Sequence, residues 1–101
     1  MSYKTETDIE NGLSLKKPKM YAVIMHNDDY TTMDFVVDIL VKIFKKTLAD
    51  ATAIMIDVHN KGSAVVAVYT YDIAATKTAQ ATAIASDRGY PFLLTIKEAL
   101  E

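Results

Sequence analysis

Cysteine is absent from the 101-residue sequence. That excludes disulfides, thiol nucleophiles and thiolate metal sites, and it suits a reducing compartment. An excess of one charge is also missing, since 11 basic and 13 acidic residues leave a formal net charge of -2. No basic field is available to hold nucleic acid. No run approaches the roughly 20 apolar residues that cross a membrane. The opening stretch, MSYKTETDIENGLSLKKPK, lacks the apolar centre of a secretory signal. A cytoplasmic location is therefore expected. The glycines, Gly12, Gly62 and Gly89, build no phosphate-binding loop. No serine or lysine stands in a nucleophile context, so neither an enzyme nor a bound cofactor is expected.

What is present is an ordinary globular composition, half hydrophobic and about a quarter charged. The length fits one domain. A chain of this size buries roughly 60–70% of its unfolded surface, enough for one modest core. Residues 1–19 read as a flexible arm. Their few apolar positions, Tyr3, Ile9, Leu13 and Leu15, hold no sustained period, and Pro18 closes the segment. Such a stretch buries too little to offset its ordering entropy. The folded domain is expected over residues 20–101.

That domain opens on Met20-Tyr21-Ala22-Val23-Ile24-Met25, a continuous apolar run of strand length. The polar break His26 to Thr32 follows, with turn-forming Asn and Asp. Met33, Val36, Val37, Leu40, Val41 and Phe44 then form one helical stripe, with Thr31 or Thr32 as N-cap and Asp34 in the first turn. A second helix follows Thr47, carries Leu48, Ala51, Ile54, Met55 and Val58 on its apolar face, and ends at Lys61-Gly62. Ala64 to Tyr71 reads as a strand, about Ile73 to Arg88 as a helix capped by Thr70 or Asp72, and Phe92 to Ile96 as a final strand. The order β-α-α-β-α-β predicts an α+β fold: a three-stranded antiparallel sheet with three helices packed on one face.

Two features stand out for chemistry. Asn27-Asp28-Asp29 sits between a strand and a helix start. Turn formation alone accounts for those residue types; they also form a compact acceptor cluster suited to an ammonium group. His59 lies on the second helix, four residues after Met55 and therefore on the same face. It is either an ordinary surface histidine or, neutral, a hydrogen-bond acceptor for an amine. Met33, Val36 and Met55 are either core residues or the lining of an adaptable pocket. His26, Asp28, Asp29 and His59 are metal-ligand types, but their spacing matches no metal motif.

The runs Tyr21-Ala22-Val23-Ile24, Asn27 to Val36, Ala53 to Gly62, Val68 to Lys77 and Pro91-Phe92-Leu93 resemble, in order and approximate spacing, the ClpS adaptor family. The likeness covers roughly four fifths of the chain. It implies recognition of proteins with a free N-terminal Leu, Phe, Tyr or Trp, and their delivery to the ClpA or ClpC unfoldase of the Clp protease. It implies that Asn27, Asp28 and His59 hold the substrate α-amino group. Thr31, Met33, Val36, Met55 and Phe92 would enclose its side chain. Tyr30, Asp72 and Lys77 would touch the unfoldase N-domain, and the N-terminal arm would serve delivery. Three positions depart from the family pattern: Thr32 stands for a common Pro, Phe92 for a common Leu, and Asp72 for the more usual Glu. Two other readings compete. One is a metal-dependent hydrolase built on Asp28, Asp29 and His59. The other is a plain interaction domain similar to the C-terminal domain of the ribosomal stalk protein.

Overall fold

The computed structural model describes residues 18–99. The arm expected over residues 1–19 therefore lies, except for Pro18 and Lys19, outside the described residues. The elements run β1 (Met20–His26), α1 (Met33–Lys42), α2 (Leu48–Lys61), β2 (Ser63–Thr70), α3 (Tyr71–Asp87) and β3 (Leu93–Glu98). The expected order and α+β class hold. The sheet is antiparallel with β1 in the centre, order β2-β1-β3.

The central strand is apolar along its length because it is flanked on both sides. Tyr21, Val23 and Met25 join the hydrophobic core, which all three helices share. Strand alternation sends Ala22, Ile24 and His26 to the opposite face. There they meet Val65, Val68 and Leu93, which stay exposed. Helices thus cover one face only. A register shift between Val23 and Ile24 bulges β2, so that Val66 also turns inward. α3 buries the small residues Ala74, Ala81 and Ala85, which let it approach all three strands closely.

Boundaries and faces differ from the sequence expectation in instructive ways. The apolar spacing runs the α1 stripe through Met33 and Phe44, yet the buried residues of the helix are Phe35, Ile39 and Leu40, and Met33 is 54% exposed. α1 is apolar on more than one side. Its innermost side carries Phe35, packed edge-on against Phe92 at 5.7 Å and tilted against Tyr90 at 4.8 Å. Phe44 is buried in the turn beyond the helix rather than on it. Thr32 is the N-cap, accepting a hydrogen bond from the Phe35 amide at 3.2 Å. Thr47 caps α2 in the same way, through the Asp50 amide at 3.1 Å. Gly62 ends α2 with φ 91, a left-handed conformation natural to glycine. Tyr71, expected at the end of β2, instead opens α3, because the chain already turns at Thr70.

Candidate functional site

The segment between β1 and α1 is shaped by one carboxylate. Asp28 Oδ1 accepts from the Tyr30 amide at 2.8 Å and the Thr31 amide at 2.7 Å, and Oδ2 accepts from the Thr31 hydroxyl at 2.8 Å. This is an Asx turn carried one residue further. Burial alone would raise the Asp28 pKa. The Thr31 and Tyr30 amides and the Thr31 hydroxyl outweigh it and hold the carboxyl below its ordinary value. The loop is therefore anionic and ordered at neutral pH. A carboxylate offers about four lone-pair directions, so about one remains for a ligand. At the loop entrance the Asn27 amide donates to the Gly62 carbonyl at 2.9 Å. That bond joins the loop to the end of α2, the helix that carries His59.

Between this loop and α2 opens a cavity of about 220 Å³. Ligand pockets for drug-sized molecules run from about 300 to 1,000 Å³, so the volume suits one amino-acid side chain. Its walls grade from apolar to polar. Met25, Val58 and Phe92 are buried at the bottom; Thr31, Val36 and Met55 are half-buried; Asn27, Asp29, Met33 and His59 are exposed at the mouth. All eight residues expected to touch a ligand, Asn27, Asp28, His59, Thr31, Met33, Val36, Met55 and Phe92, line this one cavity. Met25 and Val58, which the sequence places in the first strand and on the apolar face of the second helix, line the pocket as well. Val58 follows Met55 by three positions, a spacing that places it on the same helix face.

His26 also borders the cavity, but its ring is tied elsewhere. Its Nε2 lies 2.8 Å from the Thr95 hydroxyl across the bare face of the sheet. Among the described residues no group of three or more His, Asp or Glu gathers to hold a metal ion. The set Asp28, Asp29 and His59 thus lacks metal-site geometry.

The other three expected contact residues are not among those lining the cavity. Tyr30 is 76% exposed on the loop after β1. Asp72 is exposed in the first turn of α3. α3 begins beside Thr70, which pairs with Met20 at the opposite end of β1. Six strand steps separate the two ends, about 20 Å. Lys77 is engaged within the fold, donating to the Ile43 carbonyl at 2.8 Å beyond the last turn of α1. No helix among the described residues is long and apolar enough to span a membrane.

The family model described as "ATP-dependent Clp protease adaptor protein ClpS" matches residues 16–95. The adapter protein ClpS of Acetivibrio thermocellus is 59% identical over 91 residues, covering 90% of this chain and 92% of the relative. That of Clostridium acetobutylicum is 50% identical over 100 residues, covering 97% and 99%. Among solved structures, Agrobacterium tumefaciens ClpS2 bound to L-phenylalaninamide superposes with a TM-score of 0.79 at 37% identity. That match covers 82% of this chain and all of the other.

Proposed function

The chain belongs to the ClpS family of adaptors of the ATP-dependent Clp protease, and on that footing we propose that its cavity captures the free N-terminal residue of a substrate protein. The residues accepted are Leu, Phe, Tyr and Trp. The single observation carrying this reading is the gradient of the cavity, apolar at the bottom and rich in hydrogen-bond acceptors at the mouth. An N-terminal residue has that polarity: one apolar side chain beside one ammonium group. Phenylalaninamide, the ligand of the Agrobacterium relative, has it too.

Asn27, the remaining lone pair of Asp28 and a neutral His59 ring receive the three N–H bonds of the α-ammonium. Its reference pKa is about 7.7–8.0, so it is largely cationic at neutral pH. Hydrogen bonds to charged groups contribute about 1.5–3 kcal/mol each. Enclosing a Leu or Phe side chain adds about 1.5–3 kcal/mol. Association itself costs several kcal/mol. Micromolar binding is expected, weak enough for an adaptor to release its cargo. An internal Phe has no ammonium and an acetylated terminus has no cation, so neither is bound.

Chemistry ends at capture; cleavage belongs to the protease, and this chain acts as a non-catalytic adaptor in the cytoplasm. Its partner there is the N-domain of a ClpA or ClpC unfoldase, met by Tyr30, Asp72 and Lys77. Lys77 acts there from a fixed position, held by the Ile43 carbonyl. Fluorescence anisotropy with peptides beginning with free Phe or Leu, beside N-acetylated copies, tests the capture step. Binding of the free forms only is expected. Equal binding of both forms, or of neither, would overturn the reading.

A further inference from the structure

A second depression, open and shallow, lies between the end of α1 and the middle of α3. It is lined by Lys42, Ile43, Lys45, Lys77, Gln80 and Ile84, so every charge on it is positive. Lys77 is held in place by the Ile43 carbonyl and lies over the Tyr69 ring at 5.7 Å. Lys45 is exposed in the α1–α2 turn. Lys42 pairs with Asp38 at 3.2 Å, but that pair is exposed and therefore weak. The surface thus presents three ammonium groups, one of them rigid, on an aliphatic floor.

The chain carries a matching anion. Glu6, Asp8 and Glu10 occupy alternate positions in Thr5-Glu6-Thr7-Asp8-Ile9-Glu10. In an extended segment, alternate side chains fall on one side. The segment also has the reach. Tyr69, beneath Lys77, pairs across the sheet with Tyr21, only three residues after Pro18. Glu10 precedes Pro18 by eight residues, and eight extended residues span about 26–29 Å. The depression therefore lies beside the point where the N-terminal segment joins the fold.

We propose that Glu6, Asp8 and Glu10 dock on the Lys42, Lys45 and Lys77 surface of their own chain. The tether sets an effective concentration of roughly millimolar, so a contact too weak to form between separate molecules is populated within one. Lys77 belongs to the surface proposed above for the unfoldase. On that reading the docked segment and the unfoldase share part of one surface. The docking itself does not depend on that reading.

The absence of cysteine makes the test clean. Thr7→Cys introduces a single thiol for a nitroxide spin label in the full-length protein. At low salt the backbone amide signals of Ile43, Gln80 and Ile84 are expected to lose most of their intensity by paramagnetic broadening. Intensity should return in 1 M salt, where the Debye length falls to about 3 Å, and in Lys42→Glu/Lys45→Glu. Adding Glu6→Lys/Asp8→Lys/Glu10→Lys to that pair should restore the broadening. Lys77 is left unaltered because it closes the end of α1. Unbroadened groove signals, or broadening indifferent to charge reversal, would overturn the proposal. So would broadening that appears only between an isotope-labelled chain and a separate spin-labelled one, which would assign the surface to a second copy. Neither substrate peptide nor unfoldase is present, so failure here leaves the capture reading untouched.

Discussion

The two sides of the cavity mouth are built differently. On one side Asp28 gathers two amides and a hydroxyl, and the Asn27 amide is anchored on Gly62. The Asp28 carboxylate and the loop backbone are thus positioned before a ligand arrives. On the other side His59 and Met33 are exposed, and among the described residues no hydrogen bond holds the His59 ring. Ordering the loop has already been met by folding, whereas His59, in the proposed role, would give up rotamer freedom on taking the amine. Preorganised acceptors should therefore contribute more affinity than adjustable ones.

Substitutions test that asymmetry. Asp28→Ala removes the charge and releases the loop together. Affinity for a free N-terminal Phe peptide should fall by about 100-fold or more, since each step of about 1.4 kcal/mol is tenfold. Asp28→Asn keeps an acceptor for the two amides and should lose less, and anisotropy titrations of the pair separate charge from geometry. His59→Ala removes one adjustable acceptor. A loss of about tenfold is expected, with an unchanged melting temperature. If it matched Asp28→Ala, the contrast between the two sides would collapse. Met33→Ala widens the mouth on the adjustable side, so peptides beginning with Ile or Val should gain affinity by a few fold. Unchanged selectivity would remove Met33 from the specificity determinants.

The smallest effects are on the loop's support. Thr32→Ala deletes the α1 cap and should lower stability by about 1 kcal/mol, read as a lower midpoint in denaturant. Acid gives the sign for Asp28. Its folded pKa is depressed, so its contribution is complete above the unfolded value of about 3.9 and is lost as pH falls through the folded one. Titrating Asp28 should leave loop order flat from pH 8 to 5 and weaken it only below about pH 4. Asp28→Asn should abolish that acid step, as seen in the amide signals of Tyr30 and Thr31.

Much of this was legible in the sequence. The apolar run of β1, a cap at Thr31 or Thr32, the start of α2 after Thr47 and the stop at Gly62 are local signals, and the structure agrees with each, choosing Thr32 as the cap. The inner side of α1 was not legible. Met33, Val36, Phe35 and Ile39 are all apolar, and only tertiary packing decides that Phe35 and Ile39 meet the core while Met33 and Val36 line a cavity. The cavity bottom was hidden for the same reason, since Met25 and Val58 look like any other strand and helix core residues. The role of Asp28 as the organiser of its own loop lay in side-chain geometry that composition alone does not contain.

The bond from the Asn27 amide to the Gly62 carbonyl, 2.9 Å long, joins two segments that lie far apart along the chain. It is therefore a built-in clock for the site. Its proton can exchange with solvent only when the loop parts from the end of α2, so its deuterium uptake counts those partings one residue from Asp28. A ligand that bridges loop and helix should slow that single exchange more than it slows amides in the sheet below. The opening of the site thus has a reporter that needs no label and no altered residue.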